Sequence, residues 1–199
     1  MSTPFADRRH AVIEFLRSHG AATTPHIFGD LLSHLVGVEA LVRSWGGSDL
    51  LALSALGHAT YGTHGFEPHI LERDNRSELV DCIGPEAEAL VYFYASCDRD
   101  AFYPQLTSSA IAPGDLRFTD RFAATQSTPS AEYVTLFVDL TFANEVELAV
   151  ASPGGPGGWT WLADFCRDAS RWASPSFAAG ATALLRPDLV DPGPVQRGA

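Results

Sequence analysis

SAEYVTLFVDLTFANEVELAVA, residues 130–151, is the stretch on which the fold turns. Its valine, threonine and phenylalanine content would suit a strand, because β-branched side chains are stiff at χ1 and pack well on a pleated surface. Its spacing favours a helix. Tyr133, Phe137, Leu140, Asn144 and Leu148 recur three or four residues apart, which is the period of one helix face. With this segment helical, no clear strand alternation is left elsewhere.

Working outward, the other long apolar segments carry helix punctuation. Gly84-Pro85 opens PEAEALVYFYASCDR, with proline in the first turn and glutamates near the positive end of the helix dipole. Ser48 or Asp49 can cap a helix running through LLALSALGHA towards Gly62, and Asp30 can cap LLSHLVGVEALVRSWGG. FADRRHAVIEFLRSHG, residues 5–20, ends on a glycine suited to a C-cap. Residues 103–130 read as a loop-rich excursion broken by Pro104, Pro113-Gly114 and Pro129. SPGGPGGW, residues 152–159, reads as a flexible connector; it lacks the lysine and Ser/Thr of a P-loop. Two short helices follow, at about 160–173 and 176–186, before a frayed tail from Pro187. The fold class is all-α: a single helical domain over residues 1–186, with additional C-terminal helices and a flexible tail at 187–199.

Composition bounds the function. Of 199 residues, 46% are hydrophobic and 19% charged, enough to form a core. The formal net charge is −11, and all 13 basic residues are arginine. No basic run offsets this, which speaks against nucleic acid or an anionic membrane as partner, since phosphate contacts need clustered positive charge. Cys82, Cys97 and Cys166 are odd in number and widely spaced, so a reducing, cytoplasmic setting is expected. The apolar run near the N-terminus is too short for a signal peptide, and no segment approaches 18 apolar residues.

Three apolar stripes each carry one polar residue. His34 lies on the line of Leu31, Val38 and Leu41, and His58 on that of Leu51, Ser54 and Ala55. Asp98 follows Leu90 or Val91 and Tyr94. Helical neighbours three or four apart share a face, so all three side chains are expected to point inward. An inward imidazole is satisfied by a carbonyl; an inward carboxylate needs an arginine, several donors or a cation. Two readings stand: a metal or catalytic cluster, and an Asp98–histidine pair without metal. His26 and His64 flank the two histidine helices at their ends.

These residues resemble the HD-domain superfamily of metal-dependent phosphohydrolases. Its order is a histidine in one helix, a His-Asp pair at the end of the next, and an aspartate in a later helix. LLSHLVGVEALVRSWG supplies His34, LALSALGHATYGT supplies His58, and IGPEAEALVYFYASCDR supplies Asp98, in a setting similar to the (p)ppGpp-hydrolase branch. HIFGDLLSHLVGVEALVRSWG, ALGHATYGTHGF and GPEAEALVYFYASCDR together look closer still to a small HD-like family of unknown function. That family shows a comparable His…Gly…Leu…His-Leu-x-Gly element, then H-S-x-Y-G-T, then a glutamate-rich D-R helix. The likeness covers roughly residues 23–150.

The resemblance implies a mononuclear site in which His34, His58 and Asp98 bind a divalent transition metal: Fe, Mn, Zn or Ni. His26 (or else His64) fills the place of the His-Asp aspartate, which here is Ala59. Arg99 would hold an anionic substrate or a carboxylate behind the ligands, Tyr61 would donate to a bound ligand, and His64 would assist catalysis. Asn144 and Glu145 would line the substrate pocket. The implied function is a metal-dependent enzyme on a small molecule, anionic or neutral, most simply a hydrolase. A non-haem iron oxygenase or lyase, and an inactive ligand-binding protein marked by Ala59, are the alternatives.

Overall fold

A computed structural model describes residues 4–186. Nine α-helices appear among them, with two small hairpins. In chain order they are α1 (Phe5–Ser18), β1 (Pro25–His26), β2 (Gly29–Asp30), α2 (Leu31–Ser44), α3 (Asp49–Gly57), α4 (Arg76–Ile83), α5 (Pro85–Ser96), α6 (Arg99–Thr107), β3 (Phe118–Asp120), β4 (Thr125–Ser127), α7 (Ala131–Ala151), α8 (Thr160–Ala169) and α9 (Pro175–Leu185). The all-α class holds. The expected tail, 187–199, lies outside the described residues.

The caps explain where helices begin. Asp30 accepts from the Ser33 amide at 2.9 Å, Ser48 from Leu51 at 3.2 Å and Ser130 from Tyr133 at 3.2 Å. Each side chain thereby satisfies an amide that the first helical turn leaves without a partner. Two helices went unread in sequence. RSELVDCI forms α4, and α6 runs through Pro104 inside what reads as a loop. The remainder of that excursion folds into the antiparallel pair β3–β4.

α7 runs through the middle of the molecule. It is buried continuously from Phe137 to Val146, so it touches protein on all sides, as an all-round apolar helix must. That is why its composition looked strand-like: no solvent face dilutes it. Around it α5, α6, α8 and α9 build one core, in which Phe137 meets the rings of Tyr94, Phe102, Phe93 and Tyr103 at 5.3–6.4 Å. A second core lies between α1, α2, α3, α4 and α5. Asn144, Glu145 and Glu147 of α7 meet His34 and Arg99, whereas Asp139 accepts from the Ser174 amide at the start of α9. Among the described residues no helix is long and apolar enough to cross a membrane.

Phe137→Ala empties the centre of the larger core, and a Phe→Ala change at such a site costs about 3–5 kcal/mol. Urea unfolding is expected to show a loss of that size at unchanged slope; a loss below about 1 kcal/mol would contradict the placement.

Candidate functional site

α2, the end of α3, the turn after it, the start of α6 and the middle of α7 line an open cavity of about 180 Å³. His34, His58, Arg99, Asn144 and Glu145 face it, with His26 and His64 at its sides. A larger groove, about 660 Å³, runs between α8 and α9, but small apolar side chains dominate it and it holds no histidine or carboxylate. The smaller space, by contrast, is lined by histidines, an arginine and a carboxylate.

One chain of hydrogen bonds crosses the cavity wall. His34 Nδ1 meets Glu147 Oε2 at 2.5 Å, and His34 Nε2 meets Asn144 Oδ1 at 3.0 Å. Asn144 Nδ2 donates to Glu145 Oε1 at 3.1 Å, and Arg99 Nη1 donates to the same oxygen at 3.4 Å. This network assigns the hydrogens. The carboxylate of Glu145 accepts only, so it takes the amide nitrogen of Asn144 and turns the amide oxygen towards His34. That oxygen accepts only, so His34 Nε2 carries a hydrogen. On the other ring nitrogen a proton lies between His34 and Glu147.

His58 is fixed the other way. α3 stops at Gly57, leaving its last carbonyls without helical partners. His58 Nδ1 donates to one of them, Ala55 O, at 2.7 Å. Nε2 then keeps its lone pair and opens onto the cavity without a partner among the described residues. Burial, then the neighbouring His34, push the His58 pKa well below the ordinary 6.5, and Arg99 adds to this. His26, on the β1–β2 hairpin, stacks on His34 with ring centroids 4.1 Å apart. Burial and His34 lower its pKa from 6.5 to about 4. His34 and His58 meet edge to face at 5.2 Å.

Two supporting residues were not read from the sequence. Glu147 partners His34 from three residues beyond Asn144, so the helical period could have placed it on that face. Gly37, three residues after His34, makes room for it: a Cβ there would lie 2.7 Å from Glu147 Oε1. A glycine inside a helix costs about 1 kcal/mol against alanine, which was the available signal.

The expected ligand set is corrected. Asp98 does not share the stripe of α5, because that helix ends at Ser96. Cys97 and Asp98 turn extended beside β3, with the Asp98 amide donating to Thr119 O at 3.1 Å. The Asp98 carboxylate caps α6 by accepting from the Ala101 amide at 3.2 Å, and it is 35% exposed. It therefore does not complete a site with His34 and His58. Among the described residues, the one group of three metal-type ligand atoms within 4.8 Å of each other is His64, Asp98 and Asp100. His64 Nδ1 already accepts the Arg99 amide at 3.1 Å, which leaves the hydrogen on Nε2, and Asp100 is 93% exposed. That corner holds a helix start together and suits a cation poorly.

Tyr61 is corrected too. Its hydroxyl donates to Glu88 Oε1 at 2.8 Å in a buried network with Arg76, away from the cavity. Arg99 lies at the cavity wall, where it donates to Glu145. Its guanidinium lies 4.9 Å from the Tyr94 ring and 5.8 Å from that of Tyr103, with only 14% of the side chain exposed. Burial works against its charge, yet Tyr103, Tyr94 and Glu145 leave its pKa raised. Asn144 and Glu145 line the cavity.

Residues 15–99 match the family model described as a domain of unknown function (DUF6817). No curated protein and no solved structure matches the chain. The matched segment carries His26, His34, His58, His64 and Arg99 but stops before α7.

The depressed imidazoles carry a pH signature. The unfolded chain takes up protons near pH 6.5, whereas folded His26 does so only near 4 and folded His58 also lags. Between those values the unfolded state binds more protons, so stability falls as pH falls. The melting temperature is expected to drop from pH 7.5 to pH 5, and to drop less in His26→Asn. Equal slopes in the two proteins would contradict the burial of His26.

Proposed function

We propose that the histidine cavity is the active site of an HD-like enzyme that acts on a small molecule, most simply as a hydrolase. One observation carries this reading. Two imidazoles, one on α2 and one at the end of α3, each have Nδ1 held by a fixed partner, and both line one pocket. Orienting partners of this kind hold reactive imidazoles in place. The similarity of HIFGDLLSHLVG and ALGHATYGT to HD-type motifs supports the same reading. A space of about 180 Å³ favours a substrate of few atoms.

The transition metal implied by the resemblance does not fit these residues. Asp98 serves α6, Ala59 offers only a methyl group, and His34 Nε2 faces Asn144 Oδ1 as a donor. No step is therefore assigned to a metal.

The test is a panel of p-nitrophenyl esters and phosphates with purified protein. Turnover of at least one class is expected, with kcat/KM falling about 100-fold or more in His58→Gln, the size of a lost general base. No turnover across the panel, or turnover indifferent to that substitution, would reject the proposal.

A further inference from the structure

We infer that His26 is a specificity-determining partition: its ring divides the histidine cavity from a second chamber, and that chamber is a subsite for an amine-bearing arm of a ligand rather than an anionic one. The inference rests on the reading of the histidine cavity as the place where a small substrate is held.

Two spaces of similar size meet at this wall. The histidine cavity measures about 180 Å³ and the chamber beside it about 190 Å³. They have three lining residues in common: His26, His34 and Leu148. Two of the three are fixed. His34 is tied to α7 through Glu147 and Asn144, and Leu148 is a buried residue of α7 itself. His26 differs. It comes from a hairpin of two-residue strands, and its ring stacks on His34 at 4.1 Å and meets the edge of Phe66 at 4.8 Å. Among the described residues its ring nitrogens make no hydrogen bond. The same hairpin covers both spaces: Ile27 borders the histidine cavity and Phe28 the second chamber, and both side chains are exposed.

The two spaces differ in charge. Arg99 and Glu145 line the first. The second has two carboxylates, Asp30 and Glu147, and no arginine. Asp30 serves the Ser33 amide and hydroxyl, and Glu147 serves His34. An ionised carboxyl group has about four acceptor sites, so each keeps some in reserve. The Phe28 ring borders the same chamber, and an aromatic face attracts a cation. An ammonium group there meets opposite charge, acceptors and a ring; a carboxylate or phosphate meets repulsion. With the His26 ring in place, a ligand cannot run from one chamber to the other. Without it the two spaces are continuous.

The experiment replaces the ring. Full-length His26→Gly is offered imidazole, histamine or imidazole-4-acetate at pH 7.5, and binding is followed by NMR of the alanine methyl groups. Ala59 lines only the histidine cavity and Ala151 only the second chamber. Histamine is expected to shift the Ala151 methyl signal. It is also expected to bind about tenfold or more tightly than imidazole-4-acetate, since the two arms carry opposite charges. Wild type and His26→Phe, which both keep a ring in the wall, are expected to bind none of the three at the same concentrations. His26→Ala repeats the test with a residue that restrains the hairpin backbone more than glycine does. Absence of binding to both small variants, equal binding to wild type, a shift confined to Ala59, or a preference for the acetate arm would overturn the inference. No readout uses turnover. An inert ester and phosphate panel with histamine bound in the variants rejects the hydrolase reading alone; an active panel with no histamine bound rejects this inference alone.

Discussion

The contact between His34 and Glu147 ties two distant parts of the sequence together. It joins α2 to α7 across 113 residues of chain, at 2.5 Å, where the histidine is 5% exposed and the glutamate 17%. Neither group could be sheltered there alone: a carboxylate without a partner, taken from water, costs several kcal/mol. Gly37 shows how closely the helices approach at this point, since a single methyl group would collide with the carboxylate. The orientation of Asn144 and the hydrogen on His34 follow from the extension of this pairing to Glu145 and Arg99, while His58 is held separately by Ala55 O.

Helix ends do much of the remaining work. An α-helix leaves amides free at its start and carbonyls free at its end. His58 answers a free carbonyl of α3, while His64 answers the free amide of Arg99 at the start of α6. The same residue type thus ends up in two different tautomers because it meets opposite ends of two helices. Asp98 is drawn to the start of α6 for the same reason. Capping, a local backbone requirement, here decides which side chains remain free for chemistry.

This also separates what the sequence revealed from what it hid. Asp30 and Ser48 mark the starts of α2 and α3, and the period of Tyr133, Phe137, Leu140, Asn144 and Leu148 places α7 as a helix. His26, His34, His58, Arg99, Asn144 and Glu145 could be placed near one cavity from their stripes and likeness to known motifs. Asp98 could not, because a period of 3.6 continues on paper past the point where the backbone turns extended at Cys97. Asp98 is itself an N-cap residue type, and its bond to the Ala101 amide outweighs the stripe. Tyr61 was drawn to Glu88, 27 residues away, and α6 formed despite Pro104. Both depend on tertiary partners that no local pattern encodes.

The central claim is that His34 and Glu147 stabilise the fold as a coupled pair. A double-mutant cycle with His34→Gln, Glu147→Gln and the combined variant, read by urea unfolding, tests it most directly. Directly interacting residues couple by about 0.5–3 kcal/mol, and for this buried pair about 2 kcal/mol is expected. Additive losses, with a coupling indistinguishable from zero, would contradict the account.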